Sequence, residues 1–181
     1  MEASSLRMFL IQRLIPSHIK IFMPKLVDLL QDVVDSGANV GFLPPFNPAE
    51  GRKFWEKVAV SIRDGSCIVL AARADDEIIG TVQLDLATIP NGLHRAELAK
   101  LMVHSSQRRQ GIGRILLRAV EDEARKAHRN LITVDIPKGD PAEVLYTGMG
   151  FVRFGEVPHY VRGVDGELNY TSFYYKQLRT A

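Results

Sequence analysis

The stretch from His94 to Ile136 constrains the fold more than any other. It reads as a strand, HRAELAKLMV, a turn with two glycines, RRQGIG, a helix from Ile112 to His128, and a second strand, NLITVDI. Ile112, Ile115, Leu116, Ala119, Val120 and Ala124 recur at the spacing of one buried helix face. Two strands joined by such a helix are expected to pair in parallel through a right-handed crossover. Ligands of open α/β sheets gather at the carboxyl ends of such strands, where RRQGIG lies.

The flanking sequence completes the layout. Met8 to Ile15 reads as a strand, and Pro16 to Ser36 has helical apolar spacing that stops at Gly37, with Pro24 placed to kink or divide it. A second helix, Ala49 to Asp64, carries Phe54, Trp55, Val58, Ala59 and Ile62 on one face and stops at Gly65. SCIVLAAR and EIIGTVQLDLA around ADD form a hairpin pattern. After NLITVDI come a short helix in DPAEVLYTGMG, capped by Asp140 and stopped at Gly150, the strand FVRFGEV, and a hairpin turning at VDGE into LNYTSFYYKQL. The predicted order is β-α-α-β-β-β-α-β-α-β-β, a mixed α/β sheet in a single domain spanning residues 1–181.

Composition narrows the function classes. Apolar residues at 46% and charged residues at 24% describe a folded globular chain, and a net charge of +2 is too small to argue for nucleic acid or membrane. The lone Cys67, in the apolar run CIVLAA, excludes an internal disulfide and a cysteine zinc site and reads as a buried thiol. MFLI is too short for a signal or a span, which sets a cytoplasmic expectation. His94, His104 and His159 lack ligand spacing, so no metal is expected. Aromatic Tyr170, Phe173, Tyr174 and Tyr175 suit an interface, hence a possible homodimer, but core packing is the safer reading.

The glycine turn resembles neither common phosphate loop. It lacks the Lys-Ser/Thr of a P-loop, and residues 111, 113 and 116 read Gly, Gly, Leu rather than three glycines. What remains is R-x-x-G-x-G at Arg108, Gly111 and Gly113, where absent Cβ atoms let backbone N–H groups approach an anion at a helix start. Arg108, Arg109 and Arg114 add charge. Along the helix, Arg118 with Asp122, Glu121 with Arg125 and Asp122 with Lys126 are spaced as solvated i,i+4 pairs.

RRQGIG after KLMV resembles the phosphate turn of the GNAT superfamily of acyl-CoA N-acyltransferases, and a tyrosine four residues before Gly-Phe in EVLYTGMGFVRFGE resembles its second signature. The element order is similar over nearly the whole chain. GANVGF, PNGLHRAELAKLMV and GEVPHYVRGVDGEL are similar to segments of the tabtoxin-resistance acetyltransferase subfamily. The resemblance implies acetyl-CoA as cosubstrate, with main-chain groups of Leu101, Met102 and Val103 along the pantetheine arm. It implies N–H groups of Arg109, Gln110, Gly111, Ile112 and Gly113 on the pyrophosphate, with Arg114 nearby. Arg108 is open between the 3′-phosphate and solvent.

Acetyl transfer to an amine needs a neutral nitrogen, oxyanion stabilisation and a proton for the departing thiolate. Tyr146 is the candidate acid. Glu97 and Asp135 interrupt apolar strands, so a wet cleft explains both, one accepting the amine proton and the other holding the ammonium. In a regular strand Glu97 would share a face with Leu101 and Val103, which calls for a bulge before Val103. His159 and Tyr160, with Phe42 and Phe46, are placed to line the acceptor pocket. The expected activity is N-acetylation of a small primary amine, an amino-acid-like toxin or metabolite. Its rivals are a protein lysine or N-terminal acetyltransferase, a non-catalytic acyl-CoA sensor, and a nucleic-acid module using the arginines around the turn.

Overall fold

In the computed structural model residues 9–179 are described. The first strand, β1, is Leu10–Arg13, shorter than expected, and Met8 lies outside the described residues. The first helical region is divided, as Pro24 required. Helix α1 (Pro16–Ile21) ends at Phe22, and α2 (Met23–Asp35) restarts with the proline in its first turn, where a missing N–H costs nothing. Helix α3 (Pro48–Asp64) begins at Asn47, whose side chain accepts from Ala49 N at 3.0 Å, and ends at left-handed Gly65.

Strands β2 (Cys67–Ala74), β3 (Glu77–Leu86) and β4 (Arg95–Val103) lead through a short 3-10 turn, Ser105–Gln107, to α4 (Ile112–Lys126). Strand β5 (Leu131–Pro137), α5 (Ala142–Gly148), β6 (Val152–Arg162) and β7 (Leu168–Gln177) complete the chain. The seven strands form one sheet in the order β1-β2-β3-β4-β5-β7-β6, and only β4 and β5 pair in parallel.

Each face of the sheet is packed by helices. On one, α4 and α5 cover Ala96, Leu98, Ile132, Val134 and Tyr174. On the other, α1 to α3 cover Val69, Ala71 and Met102 around the fully buried Trp55, whose indole N–H donates to Leu26 O at 3.1 Å. Helix α4 departs from the expected face in detail. Ile115 is 40% exposed, and Leu117 is buried instead. Of the three i,i+4 pairs only Glu121–Arg125 forms, at 3.7 Å; Asp122 pairs with Arg125, and Lys126 with Glu123. Glu121 is not solvated: it is 5% exposed and meets Lys176 of β7 at 2.6 Å. Of the four aromatic residues of β7 only Tyr174 is buried, while Phe173 and Tyr175 are half-buried and Tyr170 is exposed.

Candidate active site

The site begins where two parallel strands part. β4 and β5 are in register only at Arg95–Leu131, Ala96–Ile132 and Glu97–Thr133. Beyond Glu97 β4 has no strand partner on its β5 side, so its edge there faces the cleft. A bulge coincides with the parting: Thr81 faces Met102 but Gln83 faces Ala99, and Lys100 takes φ +49°. Thr81 Oγ1 donates to Lys100 O at 3.3 Å. The extra residue reverses strand parity. Ala96 and Leu98 pack on the α4 side, whereas Met102 packs on the α1–α3 side, so Glu97 shares a face with Met102 and not with Leu101 or Val103.

On the α4 side, a cleft of about 650 Å³ is lined by Val103, Arg108, Arg109, Gly111, Gly113 and Arg114, and by Val144 and Leu145 of α5. Arg109 at φ +63° and Gly111 at φ +81° curl the chain into the start of α4. No side chain caps this helix, and the N–H groups of Arg109 through Arg114 have no acceptor among the described residues. Unpaired amides plus the positive helix end make an anion seat. Arg108 points elsewhere, donating to Val103 O and to Ser36 Oγ, and Arg114 reaches Met149 Sδ at 3.9 Å. A second anchor lies nearby: Ser105 N and Oγ donate to the two carboxylate oxygens of Asp32 at 2.7 and 2.6 Å, fastening the turn to α2.

A second cavity, about 320 Å³, opens between the diverging strands and is lined by Asn39, Gly41, Lys100, Asp135, Tyr146 and Thr171 among others. Ala142 lines both cavities, so the start of α5 stands in the wall of each. Helix α5 starts where Asp140 accepts from Ala142 N at 2.8 Å, which sets Tyr146 one turn in. Tyr146 is 4% exposed and stands edge-on to Phe151 at 5.3 Å. Burial, then Asp140 and Asp135, push its phenol above the ordinary range, so it keeps its proton at neutral pH.

Glu97 is solvent-exposed and lines, instead of the 320 Å³ cavity, a separate one of about 230 Å³ with Asp85, Arg95 and Thr133. Desolvation against the sheet, then Asp135 and Asp85, hold its carboxyl above the usual range despite Lys100 and Arg95. Asp85 stands directly across from Glu97 and accepts from Gln83 Nε2 at 3.1 Å. Neither Asp85 nor Lys100 was singled out from sequence as a site residue. For Asp85 a signal existed: Thr81, Gln83 and Asp85 put three polar groups on one face of an otherwise apolar strand.

The four aromatic and histidine candidates stand apart from the 320 Å³ cavity. Phe42 stacks edge-on with Phe46 and Phe54, both at 5.6 Å, against the α1–α3 core, and Ala38 to Gly41 line the cavity in their place. His159, at φ +54° in a bulge of β6, lies 6.2 Å from Tyr170, and Tyr160 stands on Phe173 at 5.2 Å. Val161 and Thr171, from β6 and β7, are the lining residues there. Among the described residues no group of three or more His, Cys, Asp or Glu could hold a metal ion, and no helix is long and apolar enough to cross a membrane.

The site is thus a sheet split between two parallel strands with an anion seat beside the split. Residues 32–151 match the model of the acetyltransferase (GNAT) family, and the chain belongs to that family. It is an acetyl-CoA-dependent acetyltransferase. Solved structures agree on the fold. The chain is similar to the ribosomal-protein-alanine N-acetyltransferase of Brucella melitensis (TM-score 0.75, 23% identity, covering 93% of this chain and 99% of that one). It is also similar to an N-acetyltransferase from Staphylococcus aureus Mu50 (0.78, 16%, 95% and 99%). A third likeness is a putative acetyltransferase from Salmonella typhimurium, determined with its cofactor acetyl-CoA (0.73, 18%, 96% and 96%).

Proposed function

We propose that this enzyme acetylates the primary amine of a small molecule, an amino-acid-like toxin or metabolite, by direct transfer from acetyl-CoA. The observation that carries the reading is that two unlike cavities lie side by side with Ala142 in both walls: an amide-lined anion seat and a carboxylate-bearing pocket. The residues fit the cosubstrate. The N–H groups of Arg109, Gln110, Gly111, Ile112 and Gly113 would take the pyrophosphate with Arg114 beside them, and the β4 edge at Leu101, Met102 and Val103, unpaired on its β5 side, would run along the pantetheine arm. Arg108, held by Val103 O and Ser36, shapes the turn. Bound there, acetyl-CoA supplies an activated thioester carbonyl.

The chain's own groups divide the remaining work. Asp135, lining the pocket, attracts the acceptor ammonium. Glu97, with its raised carboxyl, is the better proton acceptor, because a base whose pKa lies nearer neutrality gives up less driving force. Tyr146 is protonated and lines the pocket from α5, where it donates to the departing sulfur; proximity compensates for its weak acidity.

A thiol-release assay with acetyl-CoA over an amine library of amino acids, β-lactam amino acids, aminoglycosides, polyamines and peptides tests the reading. Turnover is expected with small amines, and exclusive peptide modification would overturn it. Tyr146→Phe is expected to lower kcat by about 10²- to 10⁴-fold with little change in acetyl-CoA affinity. Unchanged kcat across pH would remove Tyr146 as the acid.

A further inference from the structure

One cation in the pocket has no anionic partner of its own. Lys100 lies at the bulge, half-buried, and its Nζ sits 5.5 Å from the centre of the Phe54 ring and 3.2 Å from where a Cβ on Gly41 would be. Among the described residues its Nζ makes no salt bridge within 4.0 Å and no hydrogen bond, although Asp85, Glu97 and Asp135 are near enough to favour its charge. Burial works against that charge, lowering its pKa below the ordinary lysine value. A desolvated ammonium without a hydrogen-bonded anion is costly, and a ligand anion removes the cost.

The backbone holds this arrangement deliberately. Lys100 is in a left-handed conformation unusual for a side-chain-bearing residue, fixed by the Thr81 hydroxyl, and the amine lies close against Gly41, itself at φ +84°, where a side chain would crowd it. A second group in the same cavity also lacks a partner. Thr171 is 1% exposed, and its Oγ1 has no hydrogen bond among the described residues. An unpaired cation and an unpaired hydroxyl, lining one cavity with Asp135, call for a ligand with acceptor atoms as well as an ammonium.

Resting on the reading that the acceptor is a small amine, we infer that it carries a carboxylate beside that amine, and that Lys100 is the residue that receives it. The ammonium is drawn to Asp135 and Glu97 while the carboxylate lies toward Lys100 and Gly41. Lys100 is thus a specificity residue: it favours amino acids and disfavours amines bearing only positive charge.

The test uses acid–amine pairs that differ only in the carboxylate: phenylalanine with phenethylamine, and ornithine with putrescine. The wild-type enzyme is expected to prefer the acid of a pair in kcat/KM, and Lys100→Met to shrink that preference about ten- to hundredfold, chiefly through KM of the acid. Lys100→Arg should restore most of it. Independently of turnover, millimolar phenylalanine should raise the melting temperature of the wild type more than that of Lys100→Met. A wild type that acetylates both members of each pair equally, or a Lys100→Met enzyme with the wild-type acid preference, overturns the inference and leaves the small-amine reading standing. A wild type that acetylates only peptides overturns that reading, and the inference with it.

Discussion

Gly113 separates stability from cofactor binding. It is the second residue of α4 with an ordinary helical backbone, so a side chain there meets no backbone strain. A Cβ would lie 3.3 Å from Leu145 Cδ2 and 3.9 Å from Val103 Cγ2, on the wall of the anion cleft. Gly113→Ala gains up to about 1 kcal/mol of helix propensity, partly offset as Leu145 yields a few tenths of an ångström. Its melting temperature should stay within about 4 °C of wild type. Gly113→Val places two methyl groups in the space between α4 and α5. If that excludes the pyrophosphate from two amide donors, each worth about 1.5–3 kcal/mol to a charged group, acetyl-CoA binding weakens by about 10²- to 10⁴-fold. Calorimetric titration with acetyl-CoA, beside a thermal melt, reads both. A folded Gly113→Val protein with wild-type affinity would refute the placement of the pyrophosphate. Gly111→Val is less clean, because φ +81° adds roughly 1–2 kcal/mol of backbone strain to any steric effect.

Three further outcomes follow from burial and charge. A carboxyl whose folded pKa is raised, as for Glu97, contributes its full stability below the unfolded value near about 4.3 and loses it as pH climbs through the folded value. Glu97→Gln should therefore flatten the fall of melting temperature on the neutral side, and parallel curves for the two proteins would contradict this. Glu121→Ala leaves Lys176 facing Met149 O without its carboxylate and should cost about 3 kcal/mol in chemical denaturation, whereas replacing both partners with apolar residues should cost less. Cys67 is 3% exposed and burial pushes its thiol far up, so a thiol reagent should label it only after unfolding; rapid native labelling would show that β2 opens.

Local signals were legible where one residue fixes one local conformation. Pro24 divides the first helix because in midhelix it has no N–H to donate and its ring clashes with the preceding turn, and Gly37 and Gly65 mark the ends of α2 and α3 because both sit in left-handed backbone. Apart from the short β1, the differences concern which way a side chain turns once layers stack. Ile115 and Leu117 were exchanged, and Glu121 was read as solvated, because helical spacing alone does not say where the packed stripe is centred or that β7 brings Lys176 to it. Phe42 and Phe46 were read as pocket wall because an aromatic loop serves a core and a pocket equally well in sequence.

The amino-acid sequence by itself determined the order of elements, the parallel unit around RRQGIG and the family, since these depend on local conformation, periodicity and short-range motifs. Only the tertiary structure decided which charges meet. Glu97, Asp85, Asp135 and Lys100 lie on three different strands, and their grouping depends on register and on one extra residue at the Lys100 bulge. That insertion sends Met102 to the face of Glu97 and leaves Leu101 and Val103 on the other. Parity along a strand is lost at a bulge, and no periodicity in the chain announces where it falls.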